Sequence, residues 1–382
     1  MSAQRKIVLA VGLTGGHIYP ALALAEELQE QGWSCLFVAR AQSELARRLL
    51  EEGGHAVLSL DALGWPRGWR SLGRIPIFAV KQARSFFLCR RALKDWKPDA
   101  VVGFGSYVSF PVLLAAKTLG LTTIIFEPNA VMGLANRVFA PLADKIALAM
   151  PGARHSVSGP KFLFVEPPLR RRLKESMSVG PEEARRRLGL EPGLPCVLVF
   201  GGSQGAYSLN QAAIATLKTL HDEGRRFSFF HVTGSSAFER MSQAYAADGP
   251  LAGLGRCAGY FDEMGLAYRA ADCVVSRAGA MTCLELLYFQ KKAVLIPLAA
   301  STESHQQENA RCLERLGIAT IVNDDARLEA GLTEALRQAL GSGRQPFPRG
   351  SREQSAESFQ AATLGMIPLA KLVRGEARID KT

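Results

Sequence analysis

The feature that most narrows the possible folds is a pattern that occurs twice. A short apolar run leads into a glycine-rich turn, and an amphipathic helix follows. The first copy is "KIVLAVGLTGGHIYPALALAEEL", residues 6–28, and the second is "CVLVFGGSQGAYSLNQAAIATLKTL", residues 196–220. A continuous apolar run suits a strand covered on both faces, and such strands build parallel sheets flanked by crossover helices. The alternation continues after each copy. In the first half, strands are expected at Ile7–Val11, Ser34–Ala39, Ala100–Phe104, Thr122–Glu127 and Lys145–Ala149, with helices over Pro20–Gln31, Ser43–Glu52, Val80–Asp95 and Pro111–Leu119. A proline-rich, basic break, "FLFVEPPLRRRLKES", interrupts the pattern. It restarts with strands at Cys196–Phe200, Phe227–Thr233, Asp272–Ser276 and Ala293–Pro297 and helices over Tyr207–Leu220 and Thr282–Phe289.

The expected architecture is α/β, with two doubly wound Rossmann-like domains over residues 1–165 and 166–345. A helical segment over 354–376 is expected to pack back across their junction. A chain of 382 residues, 48% of them hydrophobic, has apolar material for two cores. Ligands of such sheets sit beyond the carboxyl ends of the strands, so two domains facing each other would enclose a deep cleft.

The net charge of +11 points to an anionic partner: nucleic acid, an anionic membrane or a phosphorylated substrate. The seven cysteines are scattered, without a C-x-x-C pair, which fits reduced chemistry without a zinc site. "RKIVLAVGL" has basic and apolar residues like a signal peptide, yet a glycine turn and helix follow it, so a buried first strand is expected. No apolar stretch approaches the ~18 residues of a membrane-spanning helix, so membrane contact is expected to be peripheral.

Several turns carry chemistry. "LTGGHIYP" has the layout of a phosphate loop but is neither G-x-G-x-x-G nor G-x-x-x-x-G-K-[ST], and it sets His17 where a helix begins. "GGSQGA" lets backbone approach an anion at a helix N-terminus, with Ser203 adding a hydroxyl; the alternative is a plain tight turn. "SRAGAMTCLELL" is a second such turn. Its Thr282 and Glu285 form either a capping box or, in Glu285, a carboxylate for the two hydroxyls of a ribose. Two anion turns and a ribose carboxylate in one domain imply a nucleoside diphosphate. In "ESHQQENA", Gln306 and Gln307 either read sugar hydroxyls or lie on a solvated helix start. "FEPNAVMGLANR" is a polar cluster at a strand end, with Asn129 as ligand contact or helix cap. No D-x-D stands at a strand end, since "NDDAR" lies in an expected loop. No metal or other cofactor is therefore expected, and helix dipoles with Arg170 would meet the negative charge.

The segment "LGWPRGWRSLGRIPIFAVKQARSFFLCRRALKDWK", residues 63–97, interleaves Arg67, Arg70 and Arg74 with Trp65, Trp69, Ile75 and Phe78. Aromatic and aliphatic residues among arginines suit an anionic membrane surface, at roughly 1 kcal/mol per basic residue. A core helix with a basic solvated face and a nucleic-acid surface are the alternatives, the latter without a supporting motif.

Together "TGGHIYPALALAEEL", "KPDAVVGFGSYVSFPVLLAA", "EPNAVMGLANR", "GGSQGAYSLNQ", "FDEM", "RAGAMTCLEL" and "HQQENA" resemble the bacterial peptidoglycan N-acetylglucosaminyltransferases of glycosyltransferase family 28, from residue 5 to about 320. The resemblance implies a two-domain GT-B fold at the cytoplasmic face of the membrane. It implies transfer of N-acetylglucosamine from UDP-N-acetylglucosamine to undecaprenyl-linked lipid I, giving lipid II. No nucleic acid is implied; other cell-wall or division proteins are candidate partners. Ser203 would meet a phosphate, and Phe261 the uracil through its backbone. Ala280, Met281, Thr282, Cys283, Leu284 and Glu285 would hold the diphosphate and ribose, and Gln306 the sugar. Thr14, Gly15, Gly16, Asn129 and Arg170 would complete the donor site. Three motifs depart from the family: Gly12-Leu13 stand where it usually has two glycines, "EPN" replaces "EQN", and "EPPLR" replaces "GNPVR".

The implied reaction is an inverting displacement in which a base takes the acceptor's C4 hydroxyl proton. His17 suits that role, since the unperturbed imidazole titrates near 6.5, and Glu127 is the second candidate. For His17, a structural cap or phosphate contact is the plainer alternative. Rival functions are another GT-B glycosyltransferase acting on glycolipids, a UDP-N-acetylglucosamine 2-epimerase, and a non-catalytic nucleotide-sugar- or nucleic-acid-binding protein.

Overall fold

The computed structural model describes residues 4–40, 44–62, 64, 73, 75–151, 159–202, 205–246, 249, 251–298, 304–341 and 366–376. Ser203, Trp65, Arg67, Trp69, Arg70, Arg74 and most of the expected 354–376 helix lie outside the described residues. Contacts divide the chain into two compact units, Met1–Arg170 with Gly365–Thr382, and Arg171–Leu364.

The first unit runs β1 (Lys6–Ala10), α1 (Gly15–Glu30), β2 (Ser34–Arg40), α2 (Glu44–Ala46, continued by a π-helical turn at Arg47–Glu51), β3 (Ala56–Leu60), α3 (Ile75–Trp96), β4 (Ala100–Gly103), α4 (Ser106–Thr118), β5 (Thr122–Glu127), α5 (Leu134–Phe139), β6 (Lys145–Leu148) and β7 (Phe162–Glu166). The second runs α6 (Arg171–Glu175), α7 (Pro181–Arg187), β8 (Cys196–Phe200), α8 (Tyr207–Asp222), β9 (Ser228–Val232), α9 (Phe238–Ser242), β10 (Gly255–Ala258), α10 (Met264–Ala270), β11 (Cys273–Ser276), α11 (Ala280–Tyr288), β12 (Lys292–Leu295), α12 (His305–Arg315), β13 (Ala319–Ile321) and α13 (Leu328–Leu340). β14 (Ile367–Pro368) and a C-terminal helix, Leu369–Arg374, then return to the first unit.

Among the described residues the first sheet is ordered β14-β7-β6-β5-β4-β1-β2-β3 and the second β10-β9-β8-β11-β12-β13. Every pairing in both is parallel, from Leu9 beside Phe37 in the first to Val275 beside Val199 in the second. The central strands are buried on both faces, as β8 is along its whole length, which is why they read as unbroken apolar runs. β3, β7, β10 and β13 were not expected: they are short and lie toward the sheet edges, so their runs are brief or mixed.

Three helices begin earlier than their residues suggest. α1 starts at Gly15 rather than Pro20, closed by bonds from the His17 and Ile18 amides to Thr14 O at 3.0 and 3.2 Å. α4 starts at Ser106 rather than Pro111, and α3 at Ile75 rather than Val80. Glycine is a weak helix former and proline marks a first turn, so propensity places the starts of α1 and α4 too late. Tertiary packing of the turns that lead into α1 and α4 decides otherwise.

Candidate active site

In the first unit the expected residues gather at the carboxyl ends of β1, β4 and β5. His17 occupies the first turn of α1, and its Nδ1 lies 3.0 Å from Thr14 Oγ1. The ring fills the gap between two strand-end turns. A Cβ on Gly12 would stand 2.5 Å from Nδ1, and one on Gly105 would stand 3.3 Å from Nε2 and 3.6 Å from Asn136 Nδ2. Gly12 is therefore required by contact rather than by conformation. Leu13, in the place of a family glycine, keeps an ordinary negative φ, so this departure introduces no backbone strain.

Glu127, at the end of β5, is 1% exposed. One carboxylate oxygen accepts the Asn129 amide and side chain at 3.0 and 2.9 Å; the other accepts Gly133 N and Asn136 Nδ2, both at 2.9 Å. Four donors on a buried carboxylate satisfy both its oxygens and tie residues 129–136 to the end of β5. Glu127 is thus committed to four hydrogen bonds within its own loop. Asn129 and Asn136 face this carboxylate, and α5 is capped by Gly133, not Asn129. Pro128 lacks an N–H, yet the neighbouring donors complete the ring around Glu127. Arg170 closes the unit with its guanidinium over Tyr19, 4.7 Å from the ring centroid. Tyr19 in turn packs under Gly15, since a Cβ there would stand 2.8 Å from its ring. Arg170 and the first loop are thus brought together.

In the second unit two turns lie at the ends of the adjacent strands β8 and β11. Gly205 has φ +75°, and a Cβ there would meet Thr233 O at 2.5 Å, so only glycine fits. At the other turn Gly279 is the N-cap, and no side chain caps α11. Thr282 is thus inside the first turn, and the capping-box reading of Thr282 and Glu285 is corrected. The unpaired donors expected of the first turn are those of Ala280, Met281 and Thr282. Cys283 and Leu284 are 0% and 1% exposed, and Cys283 N bonds Gly279 O at 2.9 Å.

Glu285 accepts the Tyr268 hydroxyl at 2.8 Å. Tyr268 is 0% exposed and stacks on Phe289 at 5.0 Å; burial and the nearby carboxylate push its phenol well above the usual range. A carboxylate anchored on one side is pre-oriented for a diol. Gln306 lies in the first turn of α12, where its Oε1 accepts Leu298 N at 3.0 Å, which makes the amide NH₂ its donor end. Phe261 sets its ring edge-on to Phe230 at 4.9 Å. Sequence reasoning missed Tyr268, Asn136 and Arg277, whose roles depend on partners distant along the chain. No group of three or more metal-binding side chains occurs among the described residues.

The N-terminal domain of glycosyltransferase family 28 matches residues 7–148, and the C-terminal domain of that family matches residues 196–363. The UDP-N-acetylglucosamine--N-acetylmuramyl-(pentapeptide) pyrophosphoryl-undecaprenol N-acetylglucosamine transferase of Halothermothrix orenii is 35% identical over 347 residues, 89% of this chain and 91% of the relative. The protein of the same name from Elusimicrobium minutum is 32% identical, over 87% of this chain and 89% of the relative. Among solved structures, Acinetobacter baumannii MurG superposes with a TM-score of 0.73 at 27% identity, covering 97% of this chain and 99% of that one.

Proposed function

Since the chain belongs to glycosyltransferase family 28, matched in both its N-terminal and C-terminal domains, we propose the chemistry that its loops perform. The protein is an N-acetylglucosaminyltransferase of peptidoglycan synthesis. It moves N-acetylglucosamine from UDP-N-acetylglucosamine to the C4 hydroxyl of undecaprenyl-diphospho-N-acetylmuramoyl-pentapeptide, converting lipid I to lipid II. The second unit binds the donor. The α8 and α11 N-termini receive the diphosphate, Glu285 the ribose, Phe261 the uracil side and Gln306 the sugar. As UDP leaves, the same helix ends meet the developing charge.

The first unit supplies Thr14, Gly15, Gly16, Asn129 and Arg170. His17 takes the acceptor proton through one ring nitrogen while Thr14 fixes the ring through the other. Glu127 acts as a positioning residue, holding Asn129 and Asn136. The acceptor's lipid tail requires a membrane. α3 carries Ile77, Val80, Arg84, Phe87, Leu88 and Arg91 on one face at helical spacing, and all six are exposed. Ser85, Cys89 and Leu93 bury the opposite stripe. That apolar and basic face supports peripheral attachment to an anionic membrane at the cytoplasmic side.

The observation that carries the donor reading is Glu285, held by buried Tyr268 beside the open first turn of α11. The test is transfer of labelled N-acetylglucosamine from UDP to a lipid I analogue. Glu285→Ala should lower kcat/KM roughly 10- to 100-fold, mainly through KM for the donor, as loss of hydrogen bonds to a charged group implies. Wild-type protein that epimerises UDP-N-acetylglucosamine without acceptor, and transfers nothing, would overturn the assignment.

A further inference from the structure

Arg277 follows β11 directly and precedes the Ala278-Gly279 turn. Its side chain is 10% exposed, and its guanidinium is engaged within the unit. One terminal nitrogen donates to Ile296 O, just past β12, at 3.1 Å. The other donates to Ser208 Oγ, in the first turn of α8, at 2.9 Å, and pairs with Asp324 Oδ2, beyond β13, at 2.8 Å. Ser208 Oγ also lies 3.3 Å from the same Asp324 oxygen and donates to it. Segments that follow four neighbouring strands therefore meet on one side chain, because β8, β11, β12 and β13 are adjacent in the sheet. Asn309 of α12, 0% exposed, adds a bond to Ala278 O at 3.2 Å.

We propose that the Arg277–Asp324–Ser208 cluster is a clamp that fixes the spacing between the two diphosphate-binding helix ends, α8 and α11, and of Gln306 on α12. Arg277 is thereby a positioning residue for UDP-N-acetylglucosamine; this rests on the reading of the second unit as the donor site. Glycine restricts its own backbone less than other residues do, so contacts outside the turns matter for their spacing. Two phosphates demand that both sets of unpaired N–H groups stay in register, and ordering them on binding would weaken affinity. The clamp also reaches the sugar end. Ile296 lies two residues before Leu298, whose amide holds Gln306. It accounts for Asp324 in the "NDDAR" loop, whose carboxylate faces a guanidinium.

The sign of one substitution separates a clamp from simple electrostatics. Asp324→Asn removes a negative charge near an anion site, which by Coulomb attraction alone would tighten UDP binding. The clamp requires the reverse. UDP is titrated calorimetrically into the full chain, with KM and kcat measured for UDP-N-acetylglucosamine and Tm recorded. Asp324→Asn should raise Kd for UDP and KM for the donor about tenfold, kcat changing by less than about threefold, as for an interaction lost equally from ground and transition states. Ser208→Ala, at an exposed position, should do the same more weakly with Tm nearly constant, and the two effects should be less than additive. Unchanged or tighter UDP binding in both variants overturns the clamp. A wild-type chain that fails to bind UDP overturns the donor-site reading instead.

Discussion

At the scale of single residues, two histidines show how surroundings divide one side chain into different uses. His17 is half-buried at a helix start, against Thr14 and two glycine turns. His17→Ala is expected to lower kcat roughly 10²-fold or more with normal folding, the usual size of general-base catalysis; an unchanged kcat removes the residue from that role. His231 is 0% exposed in the second unit. Its Nε2 donates to Asn210 Oδ1 at 3.1 Å, because the Asn210 NH₂ is committed to Thr233 O at 2.8 Å, and Nδ1 accepts the Tyr245 hydroxyl. Burial pushes its pKa down to about 3. The unfolded imidazole titrates near 6.5, so below that pH the unfolded chain binds the extra proton. The contribution of His231 is present above pH ~6.5 and declines as pH falls toward about 3. By pH 5 the loss amounts to about 2 kcal/mol. Urea unfolding at several pH values should show a shallower acid slope for the second-unit transition in His231→Gln; an identical slope would refute the assignment.

At the scale of elements, α3 is the informative case. Twenty-two residues form one helix, yet only Ser85, Cys89 and Leu93 are buried. That spacing of four is a narrow stripe, enough to dock against α4 and too little to cover Phe87, 68% exposed, or Val80, 59% exposed. Apolar area of that kind beside Arg84 and Arg91 is costly in water and favourable in a lipid interface. The double variant Phe87→Asp/Arg91→Glu should lose at least about tenfold in affinity for vesicles containing anionic lipid, given roughly 1 kcal/mol per basic residue plus the buried ring. Wild-type binding should weaken with salt. Equal vesicle binding by the variant, or binding indifferent to salt, would remove α3 from membrane attachment. No described helix is long and apolar enough to cross a membrane.

At the scale of the whole molecule, the chain makes two parallel sheets, and its end returns to the first. β14 pairs with β7, and Leu369, Ala370, Leu372 and Val373 are buried in that unit. Lys145 Nζ bonds Leu372 O at 3.2 Å. Truncation after residue 364 should therefore destabilise the first unit by several kcal/mol, since burying one large aliphatic side chain is worth roughly 1.5–3 kcal/mol. Differential scanning calorimetry should show the first-unit transition shifted down and the second-unit transition unmoved. Coincident shifts of both would contradict this division of the core.

The class of fold, the tandem α/β order and most of the turns are legible in local patterns along the chain. Buried parallel strands leave continuous apolar runs, and glycine turns leave their own residues; Thr122–Glu127 and Cys196–Phe200 were legible to the residue. The same patterns name His17, Asn129, Glu285 and Gln306, because those stand in local motifs. How those side chains are committed depends on contacts between distant elements. Four donors converge on Glu127, and the side chains of Cys283 and Leu284 turn into the core of the second unit. Tyr268, Asn136 and Arg277 carry no local signature, for each acts through a partner on another element. Hydrogen bonds and burial are set by which strand ends the sheet brings side by side, and no window along the chain contains that information.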